Sequence, residues 1–414
     1  MNHNTAIWLI AIITTAFIII RPFKLPEAIW AVCGAFILFI TQLITPAETY
    51  KGISKGSDVY LFLTGMMLLA ETAREEKLFD WLAALATRYA KGSSARLFIM
   101  IYLVGTIVTI FLSNDATAVV LTPAVAAAMK TAKVKQPLPY LFICAFIANA
   151  ASFVLPISNP ANLVIYGKQM PPLLVWLGHF ILPSLLSIVV TYVMLMFAQK
   201  KFLHQTITDD TKLPQLSKSG KAAAYGIIAT AVVLLAASAF NLQLGLPTAV
   251  TGVITSAIVL IIARKKPGIV IKNISWSILP LVAGLFIIVE ALDKTGLIHY
   301  LSNLLLQHAS SPNTTALYSG AGIAVVSNIT NNLPAGLIAG SALQTANIPA
   351  IIKNAVLIGV DLGPNLSITG SLATILWLVA LRREGHEVTF WQFLKLGVVV
   401  MIPALLCALA ALWI

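Results

Sequence analysis

The sequence predicts an all-α polytopic membrane protein built from two inverted repeats. Hydrophobic residues make up 59% of the 414-residue chain and charged residues only 10%. A soluble protein carries about 25% charged residues, so this chain belongs in a bilayer. Many of its apolar runs approach the roughly 20 residues that span the hydrocarbon core. Polar residues interrupt these runs at matching places in the two halves, which indicates a duplication.

Four pairs of segments align the two halves in the same order. The spacings agree, since Pro26 and Gly65 are 39 residues apart while Pro247 and Gly284 are 37 apart. Four ordered matches at near-constant spacing indicate an internal repeat. The pairs are LPEAIWAV with LPTAVTGV, LTGMMLLAE with VAGLFIIVE, Asn114-Asp115 with Asn331-Asn332, and IANAASFVLPISNPAN with VDLGPNLSITGSLAT, in which Asn149 matches Asp361 and Asn162 matches Thr374.

The polar stretch 199–221 divides the chain near its middle and is predicted to link repeat 1–198 to repeat 222–414. Each repeat is expected to hold about five transmembrane helices and one re-entrant helical hairpin, with a further helix broken near the midplane. The hairpin tips are predicted near 113–117 and 327–334, and the broken helices near 156–162 and 361–371.

The basic residues predict the orientation of the chain. The net charge is +12, which the excess of Lys and Arg in cytoplasmic loops explains. With an odd number of spans per repeat, both termini lie outside and the linker is cytoplasmic. The first apolar run, 6–20, is interpreted as a retained span and not as a signal peptide. Basic clusters interleaved with aromatics are absent, so nucleic acid is not an expected partner. This orientation leaves few basic residues on the outer side of the membrane, namely Lys51, Lys55, Lys168, Lys294 and Lys353.

The two predicted hairpins turn at polar residues. Asn114-Asp115 and Asn331-Asn332 each precede a short apolar segment. Asn and Asp are good N-cap residues, and a helix that begins in mid-membrane directs its free N–H groups at the break. Non-helical backbone at that depth is tolerated only against protein or a wet cavity. The alternative is that these residues only cap helices at a loop.

Prolines and small polar residues interrupt one further span in each half. Pro156 and Pro160 flank the break in the first half, and Gly363-Pro364 opens the break in the second. Proline removes a hydrogen-bond donor and bends a helix. The four discontinuous elements are therefore expected to meet at one site. The predicted solute-binding residues are Ser113, Asn114, Thr117, Asn159, Asn162, Asn331, Asn332, Gly370 and Ser371, with Asn149, Asn328 and Thr374 in a second tier.

Two of the few acidic residues lie in these elements. An ionised side chain at the bilayer centre costs about 2.5–3.5 kcal/mol on insertion scales, so Asp115 and Asp361 are candidate proton carriers. Their alternative role is structural, as partners of helix ends. Glu71 and Glu290 occupy equivalent places near span ends and are expected to be structural anchors at opposite interfaces.

Other classes of function find little support in the sequence. Walker A, HExxH and GxSxG motifs are absent, so no ATPase, metalloprotease or α/β-hydrolase activity is predicted. Neither a metal nor a cofactor is expected, and Cys33, Cys144 and Cys407 are too scattered for a disulfide framework. The amphipathic segments 79–89 and 298–307 are expected to lie in the membrane interface, with an extra short span as the alternative.

The segments GVDLGPNLSITGSLATILWLVALRREG and FLSNDATAVVLTP closely resemble the arsenite efflux permeases, the arsenical pump membrane proteins of the ion transporter superfamily. The resemblance covers nearly the whole chain. It implies a proton-driven antiporter of the inner membrane that exports arsenite and antimonite, sometimes with a separate cytoplasmic ATPase. It carries Asn114, Asp115, Asp361 and Gly370-Ser371 over as site positions. Related permeases often have Asp where this chain has Asn149, which puts a coupling role there in doubt.

The residues agree with that implication and leave alternatives open. No Lys or Arg falls in the predicted core, which favours a neutral or cationic solute, and arsenous acid is a neutral triol. Cys144 is a candidate As(III) ligand or an ordinary packing residue. A sodium-coupled carboxylate transporter or a sodium/proton transporter of the same superfamily is the first rival. An intramembrane enzyme or a passive assembly subunit is the second.

Overall fold

The structure is a computed structural model that describes residues 2–205, 207 and 214–414. The described residues form helices and connecting turns without any β-strand. Six of these helices are long and apolar enough to cross a membrane. The predicted all-α membrane class is therefore confirmed. Residues 206 and 208–213 of the predicted linker, including Lys212, lie outside the described part of the chain.

The first half contains eleven of the helices. The short helix at Asn114–Ala116 continues through a π-helical turn, Thr117–Leu121, into the helix Thr122–Thr131. The helices are α1 His3–Ile20, α2 Glu27–Ile40, α3 Pro46–Lys55, α4 Ser57–Glu75, α5 Leu78–Tyr89, α6 Ser94–Phe111, α7 Asn114–Ala116, α8 Thr122–Thr131, α9 Leu138–Ala150, α10 Pro160–Tyr166 and α11 Leu173–Gln199.

The second half presents the same kinds of element in the same order. Its helices are α12 Lys218–Ala239, α13 Gly245–Ala263, α14 Gly268–Ile271, α15 Ile278–Lys294, α16 Leu297–Gln307, α17 Pro312–Thr330, α18 Asn332–Thr345, α19 Ala350–Leu362, α20 Leu372–Arg383 and α21 Phe390–Ala410. Thus α2 corresponds to α13, α4 to α15, α6 to α17, α9 to α19, α10 to α20 and α11 to α21. The short helices α5 and α16, of 12 and 11 residues, span about 18 Å or less at 1.5 Å per residue. That is too short to cross a 30 Å core, which favours the interfacial interpretation.

Corresponding helices pack crosswise between the halves, α4 against α13 and α15 against α2. Equivalent glycines permit the close approach. A Cβ on Gly65 would lie 2.2 Å from the carbonyl oxygen of Thr248, and one on Gly284 would lie 2.7 Å from the carbonyl oxygen of Ala31. Both distances are far below van der Waals contact. The two glycines of the aligned LTG and VAG segments therefore perform the same packing task on opposite halves.

The turn that follows the first hairpin tip differs from the plain helix that the sequence suggests. Residues Thr117–Leu121 adopt π-helical geometry, and Pro123 follows as the second residue of α8. Proline lacks the N–H that an α-helix needs and its ring clashes with the preceding turn, so a local widening relieves the conflict. Thr122 Oγ1 donates to the carbonyl of Thr117 at 3.5 Å across this turn. The corresponding helix α18 has no such interruption.

Two buried tryptophans hold the broken segments in the core. The indole N–H of Trp176 on α11 donates to the carbonyl of Phe153 at 3.2 Å, just before the first break. The indole N–H of Trp377 on α20 donates to the carbonyl of Leu141 on α9 at 2.9 Å. A buried indole needs such an acceptor. Each tryptophan therefore satisfies itself while anchoring backbone that flanks the polar centre.

Candidate functional site

The first hairpin tip is a helix start at Ser113. Its Oγ accepts the N–H of Ala116 at 3.2 Å, as an N-cap does. Thr117, one turn further on, shares a 2.8 Å hydrogen bond with Thr109 on α6. Asn114 is only 3% exposed and its Oδ1 accepts the N–H of Asp115 at 2.9 Å. The tip is thus a buried cap that ties the returning helix to α6.

The second tip turns at Asn331, whose φ is 74°. With ψ at 149°, this is a positive-φ extended conformation that glycine adopts far more readily than other residues, so the surrounding contacts must hold Asn331 in it. Its Oδ1 caps α18 by accepting the N–H of Leu333 at 3.3 Å, and its Nδ2 donates to the carbonyl of Thr369 at 3.2 Å. The N–H of Asn332 donates to the carbonyl of Gly370 at 2.8 Å. The tip is therefore bound directly to the second broken segment.

Asn328 fastens the same broken segment from α17. Its Nδ2 donates to the carbonyl of Gly363 at 2.9 Å, and its Oδ1 accepts the hydroxyl of Ser367 at 2.8 Å. A Cβ on Gly370 would lie 2.6 Å from that Oδ1. Glycine is required at 370 because the backbone passes directly over the Asn328 amide.

Asp361 lies at the end of α19 and is fully buried. Its two carboxyl oxygens contact polar groups of the first half. Ser152 Oγ lies 2.8 Å from Oδ2, and Asn159 Nδ2 donates to Oδ1 at 2.8 Å. Asn159 Oδ1 in turn accepts the N–H of Ala161 at 3.0 Å, which caps α10. The acid of one half is thereby joined to the broken helix of the other.

Asn149, the position equivalent to Asp361, contacts the second half. Its Nδ2 donates to Asn365 Oδ1 at 3.0 Å and to Thr374 Oγ1 at 3.3 Å. Thr374 also shares a 2.8 Å hydrogen bond with Ser371, whose Oγ accepts the N–H of Thr374 and so caps α20. The end of α9 is therefore joined to the second broken helix.

Asn162 closes the first broken segment on itself. Its Nδ2 donates to the carbonyl of Ser152 at 2.9 Å and, at longer range, to the carbonyls of Leu155 and Pro156. The buried Oδ1 atoms of Asn162 and Asn149 have no hydrogen-bond partner among the described residues. Buried amide oxygens of this kind are usually satisfied by water or a ligand.

Asp115 lies where two clefts meet. One cleft runs from Asp115 to Glu71 and Asn273. It is called the outer cleft because it leads from the polar centre toward helix ends, and the name does not refer to a side of the membrane. The inner cleft, of about 370 Å³, places Asp115 beside Asn159 and Asn332. No Lys or Arg belongs to the described lining of either cleft. Asn159 therefore lies between the two acids, since it lines the inner cleft together with Asp115 and binds the Asp361 carboxyl.

The structure brings the predicted tip and break residues to one centre between the halves. Their roles in binding remain predictions. Ser152 and Asn365, whose side chains bind Asp361 and Asn149 from the opposite half, were not among the predicted site residues. Each lies within four residues of Asn149 or Asp361, in a polar, small-residue run after the helix. That proximity was the available signal, although it does not identify the partner across the halves.

The predicted anchors lie in strongly charged surroundings. Glu290 is 4% exposed, and its carboxylate binds Lys51 at 2.5 Å and Lys55 at 2.6 Å. Glu71 is paired with Arg74 and also lines the outer cleft. Cys144 is completely buried on α9, as expected of an ordinary packing residue.

Discontinuous helices whose ends meet at buried polar groups between two repeats define a membrane transporter. The comparisons with known proteins identify the family. Residues 9–359 match the family described as CitMHS, citrate transporter. The chain belongs to this family.

Curated relatives and a solved structure extend the likeness over most of the chain. The arsenical pump membrane protein of Escherichia coli is 28% identical, with 97% of each chain covered. That of Escherichia coli strain K12 is 27% identical with the same coverage. The crystal structure of the YdaH transporter of Alcanivorax borkumensis, reported to have an unusual topology, shares the fold at a TM-score of 0.57 and 14% identity. The match covers 88% of this chain and 86% of the YdaH chain.

Proposed function

We propose that this transporter exports arsenite and antimonite from the cytoplasm in exchange for protons. The names of the most similar relatives support this solute class, since they are arsenical pump membrane proteins. The proposal places the protein in the inner membrane with both termini outside and the linker in the cytoplasm, as the distribution of basic residues indicates. A separate ATPase subunit would be needed for any use of ATP, because this chain lacks a Walker A motif.

The observation that carries the proposal is a polar centre with two acids and no basic side chain in its described lining. Asp361 is held by a hydroxyl and an amide, and Asp115 faces both clefts. A buried carboxyl without a cationic partner is expensive to keep ionised. Alternate gain and loss of a proton at these acids is therefore a natural way to couple proton flow to movement of a neutral solute.

The groups around the inner cleft suit a small trihydroxy acid. Amides at Asn114, Asn159 and Asn332 offer both donors and acceptors beside Asp115. Arsenous acid is neutral at physiological pH and can both donate and accept hydrogen bonds through its three hydroxyl groups. Such a solute leaves the charge balance of the site to the acids alone, so binding and proton release need not compete with a fixed cation.

The second candidate is a sodium-coupled carboxylate transporter. The family description, citrate transporter, favours it. A trianionic solute must be balanced by cations or by donors at helix N-termini. The tips capped by Ser113 and Asn331 supply such N-termini, whereas the described cleft linings supply no basic side chain. Dependence on sodium separates this candidate from proton exchange.

Everted membrane vesicles test the proposal directly. We expect vesicles energised by respiration to accumulate radiolabelled arsenite, and an uncoupler to abolish the uptake. Asp115→Asn and Asp361→Asn should each reduce uptake to the level of empty vesicles while the protein remains folded and inserted. Ser184→Ala is the matched control, because this buried hydroxyl has no partner among the described residues. Sodium-dependent citrate uptake without arsenite uptake would establish the second candidate instead.

A further inference from the structure

The hydroxyl of Ser152 makes two short contacts that it cannot satisfy with its own proton. Ser152 Oγ lies 2.7 Å from the carbonyl oxygen of Asn149 and 2.8 Å from Asp361 Oδ2. Both separations are typical of complete O–H···O hydrogen bonds. A serine carries a single O–H, while a backbone carbonyl and a carboxylate are acceptors only. Two hydrogen bonds among these three oxygens therefore require a second proton.

The remaining proton has only one available carrier. Asn159 Nδ2 already donates to Asp361 Oδ1, which marks Oδ1 as the acceptor oxygen of the carboxyl group. Oδ2 is left as the oxygen that bears hydrogen in the neutral acid. The assignment that satisfies every contact runs from Asp361 Oδ2–H to Ser152 Oγ, and from Ser152 Oγ–H to the Asn149 carbonyl.

We propose that Ser152 is a positioning residue that couples the protonation state of Asp361 to the end of α9, where the first broken region begins. This proposal rests on the proposed function only in assuming that Asp361 gains and loses a proton. In the acid form Ser152 donates to Asn149. When Asp361 loses H⁺ to water, no other bond breaks, and the Ser152 O–H turns to the new carboxylate. The Asn149 carbonyl then keeps only the N–H of Ser152, at 3.4 Å.

This reorientation acts on the contact between the halves. Asn149 is at the end of α9, and its side chain binds Asn365 and Thr374 of the second half. Weakening the hold on its carbonyl loosens that helix end. On the other side of the acid, Asn159 exchanges a bond to a neutral oxygen for a stronger one to a carboxylate while it caps α10. One proton thereby changes the hydrogen bonding at α9 and at α10 together.

No other ionisable side chain contacts the Asp361 carboxyl in the described part of the chain. The titratable groups on the helices packed against α19 lie elsewhere on those helices. On α9, α10 and α17 they are Tyr140, Cys144, Tyr166 and Tyr318. On α11, α21 and α19 itself they are His179, Tyr192, Lys395, Cys407 and Lys353. A signal lost in Asp361→Asn is therefore assigned to this carboxyl.

Infrared difference spectroscopy of the purified full-length protein tests the assignment without any solute. At neutral pH, subtracting the Asp361→Asn spectrum from that of the unmodified protein should isolate the C=O band of one hydrogen-bonded carboxylic acid. In Ser152→Ala this band should move to higher wavenumber, because the acid O–H has lost its acceptor. Ser152→Thr, which keeps a hydroxyl, should restore the original position, and Ser184→Ala should leave the band unmoved.

Two results would overturn the proposal. One is a carboxylate in place of the acid band at neutral pH in the folded protein. The other is an acid band that stays in place in Ser152→Ala. Neither result depends on which solute is carried, so a failure of arsenite transport in vesicles is distinguishable from a failure of this assignment. If Ser152→Ala does not fold, Ser152→Gly, which also lacks the hydroxyl, takes its place, and the same shift to higher wavenumber is expected.

Discussion

Asn149 and Asp361 hold equivalent positions in the two halves but bind the opposite half with opposite hydrogen-bond roles. Asn149 donates through its amide to Asn365 and Thr374, whereas Asp361 accepts from Asn159 and contacts Ser152. An amide keeps the same donors and acceptors at every pH, while a carboxyl group changes from donor to acceptor when it loses a proton. The architecture is therefore shared, and only one of the two equivalent positions can respond to a proton.

The comparison also explains why an asymmetric pair of acids suits the site. Asp115 lies at the tip of the first half and Asp361 at the break of the second, with Asn332 and Asn149 at the matching places. Asn159 joins the two acids, since it lines the cleft beside Asp115 and binds Asp361. The crosswise placement therefore takes one acid from each half.

Exchanging the residues at positions 149 and 361 should have the largest effect on transport. The double variant Asn149→Asp with Asp361→Asn keeps the number of acids, yet we expect solute export to be lost. The new carboxyl would face Asn365 Oδ1 without the donors that Ser152 and Asn159 provide, and Asn149→Asp alone should destabilise the fold by about 1–3 kcal/mol through an unsatisfied buried group. Vesicle transport and thermal unfolding in detergent measure the two effects. Normal export by the double variant would show that the position of the acid is unimportant.

Adding a methyl group at each of the two packing glycines should lower the free energy of unfolding by different amounts in the two halves. Gly65→Ala brings Cβ against the backbone of Thr248, and Gly284→Ala meets Ala31 less closely. We expect Gly65→Ala to cost about 1–3 kcal/mol, as overpacking does, and Gly284→Ala to cost less. Thermal unfolding in detergent is the measurement. Gly322→Ala on α17 has open space around its Cβ and is the control. Equal costs at all three positions would contradict the crosswise packing.

Substitution of Glu48 should give the smallest effect, which is present at pH 6 and lost in strong acid. The backbone N–H of Thr45, with Lys294 next, lowers the pKa of Glu48 from 4.5 to about 2. A carboxyl whose pKa is lowered by folding stabilises the fold above pH 4.5 and loses that contribution as the pH falls toward 2. Glu48→Gln should therefore reduce the free energy of unfolding at pH 6 by the few tenths to about 1 kcal/mol that an exposed pair contributes, which is seen as a lower midpoint of thermal unfolding. The difference from the unmodified protein should vanish near pH 2, and its persistence there would refute the assignment.

The sequence predicts the local features of the site well because they depend on local chemistry. Asn, Asp and Ser before apolar segments predict the helix starts at Ser113 and Asn331, and closely spaced prolines predict the break at 156–160. These signals come from capping and from the missing proline N–H. The all-helical membrane class follows in the same way from composition.

The contacts that join the halves could not be predicted. Ser152 and Asp361 are 209 residues apart, and Asn149 and Asn365 are 216 apart. Which polar group faces which depends on how α9 and α19 pack, and no local pattern records it. The π-helical turn before Pro123 was missed for a related reason, since proline in the first turn of a helix and proline within a continuing helix look alike in sequence.

The ion pairs at the two ends of the α4–α13 and α15–α2 contacts have opposite polarity. Lys265, after α13, binds Glu75 at 2.9 Å and Glu76 at 3.1 Å at the end of α4, whereas Lys294 on α15 binds Glu48 on α3 at 3.0 Å. In the alignment of the two halves, Lys294 occupies the position equivalent to Glu75. Two copies of the first half, paired in the same way, would therefore place Glu75 against Glu48. Two copies of the second would set Lys294 against Lys265. Like charges at such contacts repel, so these ion pairs favour the pairing of unlike halves over the pairing of two identical ones.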